Sequence, residues 1–145
     1  WTRIEAPTLS VGVCRTCTVT DPLNAAGNAI IDGNALPQAS KWMANATLRY
    51  GIPMGDDGEL FFYTDWSYRS EVNFFLYDSR EFVGQPLVEG GAKIGYNWGA
   101  GAYELSVFCR NCTNQIRATG AIDFNNLTGF INDPRIVGAQ FRANF

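Results

Sequence analysis

Polar and apolar positions alternate strictly over two neighbouring stretches. In the first, Trp42, Ala44, Ala46, Leu48, Tyr50 and Ile52 fall on one side, and Lys41, Asn45, Thr47, Arg49 and Gly51 on the other. A period of two is the mark of a β-strand with one apolar face. The second stretch repeats it, with Leu60, Phe62, Thr64, Trp66 and Tyr68 opposite Glu59, Tyr63, Asp65, Ser67 and Arg69. Pro53, Gly55, Asp56, Asp57 and Gly58 lie between and supply turn chemistry, so the two stretches are expected to pair as an antiparallel hairpin. Trp42 to Tyr50 and Leu60 to Tyr68 each cover eight residue steps, roughly 26 Å at about 3.3 Å per residue. That length matches the apolar band of about 25 Å that a transmembrane barrel shows to lipid. Strands of a soluble sandwich more often run about five or six residues.

The rest of the chain extends this pattern. LSVGVCRTCTV, from Leu9 to Val19, is β-branched and partly alternating, and predicts another strand. From Gly91 to Trp98, Ala92, Ile94, Tyr96 and Trp98 alternate with Lys93, Gly95 and Asn97. Gly99, Ala100 and Gly101 form a tight turn into Tyr103, Leu105, Val107 and Cys109, which face away from Glu104, Ser106, Phe108 and Arg110. This predicts a second hairpin. The closing segment RIVGAQFRANF is a last strand, with Val137, Ala139, Phe141, Ala143 and Phe145 outward and Gln140, Arg142 and Asn144 inward. Three long Gly, Pro, Asn and Asp-rich connections, Asp21 to Ser40, Ser70 to Glu89 and Asn111 to Asp133, alternate with the two short turns. The expected fold is all-β, an antiparallel meander of about six long strands. Short turns on one side and long loops on the other are the layout of an outer-membrane barrel.

Composition narrows the reading. The 145 residues are one domain's worth of chain, with 46% apolar and only 17% charged residues, against a usual share of about 25% charged. A net charge of −3 spread without any basic run argues against nucleic acid as a partner. Apolar runs such as LFFY fall far short of the roughly 20 residues a transmembrane helix needs. The stretch from Trp1 has neither a basic nor an apolar leader region, so an export signal is expected outside this sequence. Six strands are too few to close a bacterial barrel, whose smallest single-chain examples have about eight. The chain is therefore expected to be one piece of a larger wall.

The last third, RNCTNQIRATGAIDFNNLTGFINDPRIVGAQFRANF, carries the sharpest motifs: Asn111, Thr113 and Asn114, then Pro134 and Arg135, then Gly138, Phe141 and Phe145. It resembles the C-terminal end of TonB-dependent receptors, with an Asn-rich motif after the penultimate strand, a Pro-Arg pair and a final strand ending in Phe. SKWMANATLRYGIP, YTDWSYRSEVNFFLYDS and LVEGGAKIGYNW look like late strands of the same family, so the resemblance covers about residues 21 to 145. Ala143 departs from it, since an aromatic is common there. The resemblance implies a barrel of 22 strands in the outer membrane of a Gram-negative bacterium. It implies uptake of a scarce nutrient such as a siderophore, cobalamin or a saccharide. Implied partners are outer-membrane lipid, the remaining barrel strands and plug of the parent protein, TonB through an N-terminal part not in this chain, and the barrel-assembly machinery. Gly138, Phe141 and Phe145 would form the assembly signal. A small soluble β-barrel around a lipid-like ligand and a self-assembling β-rich structural fragment are the alternatives.

Candidate chemistry is sparse. Cys14 with Cys17 and Cys109 with Cys112 form two C-x-x-C pairs, weak candidates for a metal because the gap between pairs is far longer than in a zinc ribbon. In an extended strand residues i and i+3 lie about 10 Å apart on opposite faces, so either chelation or a disulfide requires the pairs to sit in turns. With no His and no paired carboxylates beyond the turn residues Asp56 and Asp57, no enzyme and no cofactor are expected. Arg49, Arg69, Glu104, Arg110 and Arg142 are expected to line the polar, lumen-side face. Phe74, Phe75, Tyr77, Phe82, Phe124 and Phe130 are aromatic loop residues expected either to contact substrate or to pack the loops together.

Overall fold

The computed structural model describes residues 3–122 and 128–144. Phe124 and Phe145 lie outside these residues. The described residues form no helix and eleven strands: β1 (Ser10–Val11), β2 (Ala29–Ile30), β3 (Met43–Met54), β4 (Gly58–Arg69), β5 (Val72–Asn73), β6 (Val83–Gly84), β7 (Leu87–Trp98), β8 (Tyr103–Arg110), β9 (Ala118–Ile122), β10 (Thr128–Ile131) and β11 (Ile136–Ala143). Five of them make one sheet in the order β11-β8-β7-β4-β3.

That sheet follows from the alternation. β3 and β4 are joined by a turn at Gly55, whose φ of 72° is one that residues with a Cβ rarely adopt. β7 and β8 pair antiparallel with Ala92 opposite Cys109, Ile94 opposite Val107 and Trp98 opposite Tyr103. β8 and β11 pair antiparallel with Arg110 opposite Ile136, Ser106 opposite Gln140 and Tyr103 opposite Ala143. β3, β4 and β7 each run for twelve residues. β7 begins at Leu87, four residues before the alternation becomes visible, because Gly90 and Gly91 interrupt the pattern.

Two expectations are corrected. Five long strands form, not six, because LSVGVCRTCTV does not stay extended. Ser10 and Val11 pair with Ile30 and Ala29, the chain then bends through residues 15–17, and Val19 makes an isolated bridge with Ser79. No closed barrel is found: β3 and β11 are the sheet's two edges.

The chain divides into two compact units. The sheet unit comprises Ala44–Tyr68, Val88–Gln115 and the chain from Asp133 onward. The loop unit takes Arg69–Leu87 and Ile116–Asn132 together with the chain up to Met43. The long connections are therefore folded. Three two-stranded ribbons, β1-β2, β5-β6 and β9-β10, satisfy part of their backbone. Ala29, Ile31, Tyr77 and Phe82 form a buried cluster, with Ile4, Val11, Val13, Val19, Phe75 and Ala121 packed against it. Phe75 meets Phe82 edge-on with centroids 4.3 Å apart. Asp21 accepts hydrogen bonds from the Asp78 amide and the Asn34 side chain, and Asn73 donates to the Asp78 carboxylate.

Phe82, 1% exposed, touches more of this core than any ribbon hydrogen bond can replace. Phe82→Ala is expected to cost the loop unit about 3–5 kcal/mol, read as faster amide hydrogen exchange at Ala29 and Ile31. Burial, and then the neighbouring Asp21 carboxylate, push the Asp78 carboxyl above its ordinary value of 3.8. The folded unit thus holds that proton more tightly than the unfolded chain. Its contribution is complete below pH 3.8 and lost as pH rises through the raised value. Asp78→Asn, which keeps the acceptor for Asn73, is expected to slow exchange in the loop unit at pH 7 and to match the parent protein near pH 3.5, since both side chains are then neutral.

Candidate functional site: a sheet with two chemically distinct faces

Every second side chain of the sheet unit falls on one of two faces, and neither resembles the usual inside or outside of a soluble sheet. One face is apolar and exposed. Leu48 (58%), Tyr50 and Ile52 on β3, Phe62 and Trp66 on β4, Ile94 and Tyr96 on β7, Leu105 and Val107 (53%) on β8, and Val137 (71%) and Phe141 on β11 all reach solvent. Soluble monomers rarely expose a contiguous apolar patch of more than a few hundred Å², and here exposed apolar side chains extend across all five strands.

The apolar face is graded along the strands. Near the tight turns, aromatic rings cluster: Tyr96 stacks on Trp98 at 6.0 Å, Trp98 on Tyr103 at 5.5 Å, and Phe141 lies 6.3 Å from Trp98. At the opposite strand ends stand Trp66 and Tyr68, with the Trp66 ring laid over Gly90, where any Cβ would collide with it. Between them β7, β8 and β11 carry aliphatic side chains, with Ile94 opposite Val107 and Val107 opposite Ala139, while Phe62 of β4 and Tyr50 of β3 also stand on this face. From Gly90 to Tyr96 and Trp98 is six and eight residues, roughly 20–26 Å at about 3.3 Å per residue.

The other face carries linked charges. Arg142 pairs directly across from Glu104, and Glu104 across from Asn97. The Arg142 guanidinium lies 3.1 Å from one Glu104 oxygen, and Lys93 Nζ donates to the other, which also accepts from the Ser106 hydroxyl. Asn97 Nδ2 donates to Glu59, and Glu59 receives a two-pronged contact from Arg49. A lateral row therefore crosses the whole sheet: Arg142, Glu104, Asn97, Glu59, Arg49. Glu104 is buried because its oxygens are filled by these donors. Lys93 also donates to Gln140. The Arg49 and Lys93 cations stand 5.4 and 5.6 Å from the Phe61 ring centroid, and Phe61 fills the space over Gly95. A concavity of about 340 Å³ opens here, lined by Arg49, Phe61, Tyr63, Lys93, Asn97, Glu104 and Arg142. A wider one of about 950 Å³ reaches Asp65, Ser67, Glu89, Arg110 and Asp133 on the same face.

Of the residues expected on the polar face, Arg49, Glu104 and Arg142 are brought together, and Arg110 shares their face opposite Ile136, at the far end of β8. Arg69 is not with them. It ends β4 in the loop unit, where Nη2 donates to the Ala118 carbonyl. Lys93, Glu59 and Asn97 join the first three, on the face that their parity in the alternation shares with Arg49 and Glu104.

Both cysteine pairs are closed as disulfides, Cys14–Cys17 with Cα atoms 5.7 Å apart and Cys109–Cys112 at 5.6 Å. The four cysteines are thus unavailable as metal ligands, and among the described residues no group of His, Cys, Asp and Glu is placed to hold a metal. The spacing that an extended strand forbids is reached because both pairs lie in bends. At the second, Asn111 takes a φ of 42°, and its buried amide donates to the Gln115 and Asp133 carbonyls while accepting from Thr113. Asn111 and Thr113 of the Asn-rich motif therefore build the turn out of β8.

The aromatic loop residues divide. Phe74, Tyr77 and Phe82 are buried and hold the loop unit together, Phe75 packs on that core, and Phe130 is exposed. In the last strand Gly138 lets the Phe108 ring cross β11, since a Cβ there would lie 2.8 Å from it, and Phe141 belongs to the aromatic cluster.

Removing the carboxylate that two cations share leaves both without their partner. Glu104→Ala is expected to destabilise the sheet unit by about 1.5–3 kcal/mol, seen as a lower urea midpoint. Ser106→Ala, which removes one hydroxyl donor, is expected to cost about 1 kcal/mol or less.

The chain matches no family model, and neither a curated protein nor a solved structure is similar to it.

Proposed function

We propose that this chain forms five adjacent strands in the wall of a transmembrane β-barrel of the bacterial outer membrane, with the apolar face toward lipid and the charged face toward the lumen. The observation that carries the reading is the exposed apolar face, with aromatic rings at both ends and aliphatic side chains between them on β7, β8 and β11, set against a face of mutually paired charges. A barrel wall alternates in this way, with aromatic girdles at the two interfaces and a polar interior. Twelve-residue strands suit a tilted crossing, for which about 9–11 residues are enough. By connectivity the tight turns face the periplasm and the folded connections face outward. Two disulfides fit an oxidising, exported setting.

Within that reading, the motifs at Asn111, Thr113, Asn114, Pro134 and Arg135 favour a receptor and transporter of the TonB-dependent type. The parent protein would admit a scarce nutrient through the lumen that the Arg49 to Arg142 row lines. The loop unit would meet that nutrient outside, with Phe130 among its exposed aromatics.

The reading predicts opposite outcomes for one added charge on the two faces. Val107→Arg, in the middle of the aliphatic band, is expected to cost about 2–4 kcal/mol and to empty the folded, carbonate-resistant membrane fraction. Ser67→Arg, on the polar face, is expected to leave that fraction intact. Equal tolerance of both charges, with the chain recovered in the soluble fraction, would overturn the membrane assignment.

A further inference from the structure

The two edges of the sheet are chemically alike, and this restricts what can sit beside them. The lateral row ends in an arginine at each edge: Arg49 on β3, with its side chain 51% exposed, and Arg142 on β11, 56% exposed. Between them Glu104 on β8 is only 7% exposed. Three cations, Arg49, Lys93 and Arg142, are shared between two carboxylates, Glu59 and Glu104. Each terminal guanidinium has more donors than its carboxylate partner uses, and each is a half-exposed side chain on an edge strand.

Strand direction adds a second restriction. β3 and β4 are antiparallel through their short turn. β4 and β7 are antiparallel because Glu59 meets Asn97, Phe61 lies over Gly95 and Asp65 lies against Gly91. β7, β8 and β11 are antiparallel by their registers. Over five strands, β3 and β11 therefore run the same way. Copies arranged around a ring would bring β11 of one against β3 of the next as a parallel pair, each edge carrying an arginine on the polar face. Joining like edges restores antiparallel order only by inverting the second copy across the bilayer.

We infer that each free edge is completed by a strand of different sequence, antiparallel to it, that presents a Glu or Asp to the polar face level with Arg49 or Arg142. This rests on the barrel reading, and it adds the partner's chemistry: a carboxylate on each flanking strand continues the alternation of sign across the wall. It also makes the number of further strands odd, since an all-antiparallel closed barrel has an even total.

A photo-crosslinking residue placed at Thr47 on β3, and separately at Ala139 on β11, in native membranes identifies each neighbour by mass spectrometry of the joined peptides. The expected result is a peptide absent from this sequence, with an acidic residue on the polar parity at the level of the arginine. A double-mutant cycle then checks the contact: Arg49→Ala combined with alanine at that carboxylate is expected to lower heat resistance by less than the sum of the two single changes. A joined peptide from a second copy of this chain, or a flanking strand with a neutral or basic residue at that level, overturns the inference while the membrane assignment stands. A chain that stays water-soluble and joins to nothing overturns both.

Discussion

The Glu104 carboxylate, held between Lys93 of one neighbouring strand and Arg142 of the other, is the contact on which the order of the sheet depends. It ties β8 to β11 at the level of Arg142 and reaches obliquely to Lys93 on β7, whose own partner across β8 is Phe108. A slip of one residue in either pairing would turn Glu104 toward the apolar face and carry Leu105 and Val107 onto the charged one. Neither consequence is tolerable. A buried carboxylate without donors costs several kcal/mol, and aliphatic side chains among the paired charges would strip Lys93 and Arg142 of their partner. Register is thereby set from both faces at once, and this is what allows strands of such length to pair without a packed layer on either side.

The same contact explains why the polar face is concave and occupied instead of simply solvated. Phe61 lies over Gly95 because no side chain stands there, and its ring receives the aliphatic stems and cations of Arg49 and Lys93. Asn97 then bridges the two carboxylate groups' rows through Glu59. The apolar face has no comparable internal partners. In the proposed wall its exposed rings and aliphatic side chains would face lipid, with an interface at each end for Tyr, Trp and their polar tips.

The loop unit obeys a different rule. Its ribbons are two to five residues long, too short to stand alone, and a small aromatic and aliphatic cluster around Phe82 gathers them. The chain bends between Cys14 and Cys17 within a stretch whose composition favours a strand, so that pair closes as a disulfide and Leu9 to Val19 stays out of the five-stranded sheet. At Cys109–Cys112 the corresponding bend ends β8 and directs the chain toward Asn111 and the motif that follows.

Much of the sheet was legible in the residues alone. Alternation places Leu105 and Glu104 on opposite faces whatever else the chain does, because successive side chains of an extended strand point opposite ways. Gly99 and Gly101, or Gly55 with Asp56, name the turns by the backbone angles they permit. Parity likewise put Arg49, Glu104 and Arg142 on one face. Folding alone showed that they form a single row with Lys93, Glu59 and Asn97, since which strand lies beside which is a long-range matter that no local period encodes. The fate of the aromatic residues was also beyond local reading. Phe82 and Phe130 are the same side chain in similar loops, yet one is buried and the other exposed, because burial depends on what packs opposite. The cysteine pairs make the same point: a spacing of three residues permits a disulfide only when the backbone bends, and the contacts around Asn111 and Tyr77 produce that bend.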